Sequence, residues 1–322
     1  MKFHFHSCFQ ICCTALEILP PLFVIGITGS SFWFYITHIY YYENIEILKT
    51  LSLIIFPIIT SMFIWSYATV VLTDSQSPRK NWMYTLRDSN RTLLTENSAS
   101  TLDGEIDTIE LEERAGQELL PQYSSQVKSD GSYRFCSKCN NYKPDRTHHC
   151  STCKKCILKM DHHCPWIYNC VGFGNQKQFI LFLFYGFLYS GYVLLSLSIS
   201  VMYDKFPMDS PHNIGQTLTI SLRILILMVC GLVFSVVFCI FLIMQLVLLL
   251  YNRTTIETMY RKVFIRVNQA LSSTNKNIFY IDKTSNFLQV FGTDPVYWLI
   301  PVFSGKGDGY TFPIFVNDLE RH

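Results

Sequence analysis

Four stretches of the chain run for 23 to 28 residues without Asp, Glu, Lys or Arg: Ile18 to Tyr42, Thr50 to Leu72, Phe179 to Tyr203 and Ile224 to Tyr251. A helix of about 20 apolar residues crosses a hydrocarbon core of roughly 30 Å. Each run therefore predicts a transmembrane helix rather than a buried helix of a soluble domain. The first contains Pro20, Pro21, Gly26, Gly29 and His38, but it is too long for the apolar part of a signal peptide and only Lys2 flanks it as a base. It is read as a retained span. The polar intervals divide the remainder into an N-terminal segment (1–17), a linker (74–133), a cysteine-rich block (134–177) and a C-terminal region (252–322).

Within the linker, the acidic, Ser/Thr-rich stretch from Thr92 to Val127 has Tyr123 as its one aromatic residue. It reads as flexible, with one short helix expected around Ile109 to Leu119. Asn90 and Asn252 begin Asn-x-Thr sequons. The run GKGDG, Gly305 to Gly309, lacks the spacing and the trailing Ser or Thr of a phosphate-binding loop, so a plain turn is expected there.

Composition strengthens the membrane reading, with 49% hydrophobic, 15% aromatic and 16% charged residues. Charge placement adds orientation. Of 26 Lys and Arg, 14 fall in Asp74 to Lys177 and eight in Asn252 to His322, while the connections after the first and third runs hold only Lys49, Lys205 and Arg223. Basic residues are retained on the cytoplasmic side, which puts both termini and the central block in the cytosol and both sequons out of use. A net charge of +2 without a basic stripe argues against a nucleic-acid partner.

Seven of the 12 cysteines and four of the nine histidines lie between Cys136 and Cys170. In a reducing cytosol that density means metal more often than disulfides. The set Cys136, Cys139, His149, Cys156, shifted by 14 residues, lands on Cys150, Cys153, His163 and Cys170. Two interleaved Cys₃His sites result, each a full tetrahedral complement for one Zn²⁺. A further shift starts on Cys164 but then meets Ile167, Lys177 and Phe184, so no third site forms. Spacing leaves open whether His148 or His149, and His162 or His163, is the ligand. Either choice leaves one thiol beside one imidazole.

A closed four-ligand zinc has no open position for substrate, so chemistry falls to the residues left over. The second HHC block is preceded by Asp161 where the first is preceded by Thr147. Asp161 can orient His162 as a base for Cys164. Full ionisation of a thiol of pKa ~8.5 gains only about thirtyfold at pH 7. Positioning by the two metal sites must supply most of the rate.

The block resembles the cysteine-rich domain of the DHHC protein S-acyltransferases, or palmitoyltransferases. The resemblance extends over the four-span plan, the tetrad Asp161 to Cys164 with the following PW, NCVGFGN (Asn169 to Asn175), TTIE (Thr254 to Glu257) and NFLQVFG (Asn286 to Gly292). It implies an all-α integral membrane fold of four helices with a zinc-bound cytosolic domain between the second and third. It also implies two structural Zn²⁺ and palmitoyl-CoA as co-substrate. Cys164 takes the acyl group and passes it to cysteines of cytosolic or membrane-associated target proteins; Asp161 and His162 activate the thiol, and His163 ligates zinc. The helices are expected to enclose an acyl-chain cavity, with Trp166 near its mouth, Phe179 and Phe182 along it, and Tyr189 with Ser31 towards the closed end. Thr254, Glu257 and Asn286 are expected as structural supports, and Arg134, Lys143, Arg146, Lys154, Lys155 and Lys159 as cations for CoA phosphates. TDSQSP (Thr73 to Pro78) departs from the family's Asp-Pro-Gly after the second span. The later half is similar to a subgroup that includes fungal vacuolar members, which makes an endomembrane the expected location, the vacuole first and Golgi or ER as alternatives.

A sixteen-carbon tail carries on the order of 10 kcal/mol of preference for an apolar phase, so the thiol must come to the bilayer, and Cys164 precedes Phe179 by 15 residues. A non-enzymatic membrane adaptor is the main rival reading. A transporter predicts ionisable residues inside the spans, where His38 stands alone. Cys8, Cys12 and Cys13 adjoin the first span and are candidate acylation sites or idle thiols.

Overall fold

The computed structural model describes residues 19–37, 39, 46–80, 82, 126–203, 214–259, 263–267, 270–274 and 276–314. The linker helix expected at 109–119, Asn90, His38, and Cys8, Cys12 and Cys13 lie outside the described residues.

Among the described residues, four helices are long and apolar enough to cross a bilayer: α1 (Leu19–Thr37), α2 (Glu46–Leu72), α3 (Gln176–Tyr203) and α4 (Ile214–Leu250). Helix α3 is central, with 61% of its apolar window buried against 11% in α1 and in α4. The outer face of α4 stays apolar and exposed through Leu225, Val229, Leu232, Val236, Ile240 and Ile243, as lipid contact requires. Apolar lipid offers no hydrophobic drive between helices, so close packing must hold them. Gly186 of α3 provides it, since a Cβ there would stand 2.7 Å from the Phe238 ring of α4. Helix α4 starts ten residues ahead of its apolar run, and its 37 residues span about 55 Å. That exceeds the hydrocarbon core, so Arg223 fits near its outer end, with its guanidinium 5.1 Å from the Phe34 ring centroid.

Between α2 and α3 the cysteine-rich block folds as three antiparallel hairpins. They pair β2 (Phe135–Cys136) with β3 (Asn141–Tyr142), β4 (His148–Cys150) with β5 (Lys155–Ile157), and β6 (His162–Cys164) with β7 (Asn169–Val171). The 14-residue shift is the repeat of this hairpin: His149 pairs with Cys156, and His163 with Cys170, in the same register. Each turn also has a left-handed residue at the same repeat position, Asn140 (φ 48°), Lys154 (φ 54°) and Tyr168 (φ 50°).

The C-terminal region locks this block onto the helices. Helix α4 ends in a Schellman turn, where Asn252 (φ 46°) and Arg253 donate backbone N–H groups to Leu249 and Leu248 carbonyls. Next comes α5 (Thr255–Met259), capped by a box in which Thr254 Oγ1 accepts from the Glu257 N–H and Glu257 Oε2 accepts from the Thr254 N–H. β8 (Val263–Val267) lies between β1 (Gln126–Val127) and β9 (Ala270–Thr274) in one sheet. Helix α6 (Lys283–Phe291) closes with Gly292 at φ 78°, where a Cβ would meet the Ser304 carbonyl at 2.3 Å. Asn286 of α6 donates to the Leu250 carbonyl at 2.8 Å, tying α6 to the end of α4.

Candidate active site

Strand alternation decides which histidine faces which centre. Successive side chains point to opposite faces, so in β6 His163 turns to one side while His162 and Cys164 share the other. His163 Nδ1 lies 3.7, 3.4 and 3.6 Å from the sulfurs of Cys150, Cys153 and Cys170. His149 Nδ1 lies 3.6, 3.3 and 3.9 Å from those of Cys136, Cys139 and Cys156. In each set the four ligand atoms fall within 4.8 Å of one another. Zn–S near 2.3 Å and Zn–N near 2.0 Å at tetrahedral angles require S···N separations of about 3.5 Å, so both sets fit a zinc ion. No described cysteine is disulfide-bonded.

The hairpin repeat explains the odd thiol. Each metal set takes Cys-x-x-Cys from one hairpin turn and the His and Cys facing each other in the next hairpin. The third turn offers Cys164 and Ile167 with no hairpin after it. Cys164 therefore occupies a ligand position without a site. At the other end of the repeat, Phe135 and Tyr142 stand where His and Cys stand later, and their rings pack edge-on at 5.2 Å.

His162 Nδ1 donates to Asp161 Oδ2 at 2.6 Å. Asp161 also accepts from the Thr255 N–H at 2.7 Å, Thr255 Oγ1 at 3.0 Å and Gln245 Nε2 at 3.1 Å. Burial opposes its charge, yet the His162 hydrogen bond and charge, with the Thr255 and Gln245 donors, hold the carboxyl below the usual carboxylate range. For His162, burial alone would depress the imidazole. The hydrogen bonds to Asp161 and Cys164 and their charges outweigh it and raise the ring to about 9. Phe179 packs edge-on against the imidazole at 5.2 Å.

Cys164 and His162 open onto an apolar cavity of about 300 Å³ between the helices. All five residues expected along an acyl chain line it: Trp166, Phe179, Phe182, Tyr189 and Ser31. Trp166 is 51% exposed and adjoins Phe23 at the start of α1. Ser31 Oγ and Tyr189 Oη are 2.6 Å apart, and Tyr189 also donates to the Thr28 carbonyl. Along α3, Phe179 and Tyr189 are separated by about 15 Å of helix rise.

A family model described as DHHC palmitoyltransferase matches residues 129–262. Palmitoyltransferase ZDHHC15A of Danio rerio is 32% identical over 96% of this chain and 88% of its own length. Palmitoyltransferase ZDHHC2 of Danio rerio is 34% identical over 94% of this chain and 78% of its own, and ZDHHC2 of Homo sapiens 33% identical over 94% and 77%. The chain belongs to the DHHC palmitoyltransferase family.

Two of the cations expected to meet CoA phosphates in this DHHC enzyme are buried inside the protein. Arg146 is fully buried; its guanidinium grips both Glu257 oxygens at 2.7 and 2.8 Å, Asn252 Oδ1 at 2.8 Å and the Asn252 carbonyl at 3.0 Å. Lys159 is 5% exposed, and burial, then the charge of Arg146, presses it down to about 7. Arg134 is committed to Gln126 and the Thr147 carbonyl, and Lys155 pairs with Asp74 at 2.7 Å. Lys154 remains exposed and Lys143 half-buried.

Several contacts of the DHHC site escape sequence reasoning. TTIE pointed to Thr254 and Glu257, whose capping box has a local signature, but the hydroxyl reaching Asp161 belongs to Thr255. Gln245 had a weak signal as the one amide in the run Ile224 to Tyr251. Asn169 donates to the Thr73 carbonyl at 2.9 Å, and Tyr67 to the Trp166 carbonyl at 3.0 Å, pinning the third hairpin to α2. The Asn252 amide donates to the Phe279 carbonyl and Gln289 Oε1, so the second sequon is a buried helix stop. GKGDG forms a bend in which the Lys306 N–H meets the Gln289 carbonyl.

Proposed function

We propose that this chain is a protein S-acyltransferase that moves a palmitoyl or similar long-chain acyl group from acyl-CoA to cysteines of target proteins, through an acyl-Cys164 intermediate. The observation that carries the reading is one thiol, passed over by two complete ligand sets, beside an acid-oriented imidazole at the wall of an apolar intramembrane cavity. Cys136, Cys139, His149 and Cys156 hold one zinc, and Cys150, Cys153, His163 and Cys170 the other. A closed Cys₃His zinc stabilises the fold and offers no position for substrate.

In the first step the Cys164 thiolate, paired with the His162 imidazolium, attacks the thioester carbonyl of acyl-CoA. The new C–S bond forms as the bond to CoA sulfur breaks, and the leaving thiolate takes the imidazolium proton. Asp161 keeps the ring in the donating orientation. Acylation removes the sulfur contact and charge that help raise His162, returning the ring towards neutrality. The neutral imidazole then accepts the proton of a target thiol, which attacks the acyl-cysteine and releases the Cys164 thiolate. Thioester is exchanged for thioester, so no nucleotide hydrolysis is needed. Trp166, Phe179, Phe182, Tyr189 and Ser31 line the space for the tail, while Lys143 and Lys154 are the cations left to meet CoA phosphates. Thr254, Glu257 and Asn286 brace the site.

The expected topology places both termini and the zinc domain in the cytosol, where acyl-CoA and target thiols are found, within an endomembrane. Incubation of purified protein with a clickable palmitoyl-CoA analogue is expected to give a hydroxylamine-sensitive adduct on the native chain. Equal labelling after Cys164→Ser, or none on the native chain, refutes the reading.

A further inference from the structure

Gln245 sits fully buried in α4, the one amide in an apolar run built to meet lipid. Its Nε2 donates across to Asp161 in the third hairpin at 3.1 Å, while its Oε1 finds no partner among the described residues. An unsatisfied buried acceptor is a cost that an apolar side chain of equal length would not incur, so filling space does not account for it. Val237, Phe238 and Phe241, which line the cavity, lie eight, seven and four residues before Gln245. Those spacings put them on one helix face. The other donors to Asp161 come from the adjoining His162 and from Thr255 beyond the helix; among the described residues, Gln245 alone reaches it from within a span.

Resting on the roles given to Asp161, His162 and Cys164 above, we propose that Gln245 is a positioning residue for acyl transfer. Its N–H fixes the Asp161 carboxylate, and through it the His162 ring, relative to the helix face that walls the acyl chain. Thiol, imidazole and acyl tail are thereby held in one frame. Near-attack geometry tolerates little misplacement, so loss of the donor acts on turnover rather than on capture of acyl-CoA.

The test is the rate of self-acylation of the full chain in lipid nanodiscs across a range of palmitoyl-CoA concentrations, with zinc content measured on each variant. Gln245→Met, similar in length but without a donor, is expected to lower the saturated rate by about tenfold and to shift the half-saturating concentration by less than about twofold. In an Asp161→Asn background the same change is expected to have no further effect, because its route to the reaction is already cut. Gln245→His, which keeps an N–H, is expected to recover most of the rate. A native rate for zinc-loaded Gln245→Met, or a loss that multiplies fully with that of Asp161→Asn, overturns the proposal. Should Gln245→Met lose zinc, Gln245→His decides: with both ions bound, a rate below about a tenth of native overturns it. An Asp161→Asn protein that self-acylates at the native rate instead brings down the role of Asp161, and this inference with it.

Discussion

At the residue scale the proposed chemistry turns on His162, raised to about 9 from an ordinary value near 6.5. A group raised on folding adds stability that is complete below about 6.5 and lost as pH climbs through the folded value. In the proposed first step the imidazolium also supplies the proton that CoA takes. Self-acylation is therefore predicted to fall off above about pH 9. Removing the Asp161 charge takes away raising contributions, so Asp161→Asn should move that upper limb down towards the ordinary histidine range; initial rates against pH would contradict this if the limb stayed put. The far end of the cavity makes a second prediction. Ser31→Phe fills the space beside Tyr189 and should shift preference to shorter acyl-CoA donors, checked by competing donors of different length; an unchanged preference would mean the tail ends elsewhere.

The hairpin is the informative element. Its 14-residue repeat is visible in the sequence because each unit places Cys, Cys, His and Cys at fixed offsets, and the ligand atoms of those same eight residues converge in two sets. Alternation along β4 and β6 then separates His149 from His148 and His163 from His162, a choice that spacing leaves open. From this arrangement Cys164→Ser should retain two zinc ions per chain and Cys170→Ser should not, as metal analysis of purified protein will report. The turn after α4 supplies a further test. Glu257→Gln leaves the buried Arg146 guanidinium without its counter-charge, a defect that costs about 3–5 kcal/mol. A marked fall in unfolding temperature is expected, and an unchanged one would show that Arg146 is sustained by Asn252 and the Phe279 and Phe312 rings.

Across the whole molecule, the ends of α2 and α4 and the starts of α1 and α3 gather on one side with the zinc domain. Asn169 reaches the end of α2, Arg146 the end of α4, and Trp166 the start of α1. Charge placement along the sequence predicts a cytosolic location for that side. A sequon introduced between α1 and α2 should then be glycosylated in cells, while Asn252 should not; the reverse pattern would invert the topology.

Four apolar runs, a cysteine framework and one unmatched thiol follow from the sequence by itself, because bilayer thickness and zinc coordination impose fixed lengths and spacings that a linear pattern records. Contacts between distant segments leave no such record. Arg146, expected from the resemblance as a cation for CoA phosphates, is instead enclosed with Glu257, 111 residues away. Thr255 and Gln245 met Asp161 only once α4 and the third hairpin had packed together. The tertiary structure alone decided these, since a buried polar side chain takes whichever partner the fold brings within reach, and sequence separation says nothing about which that will be.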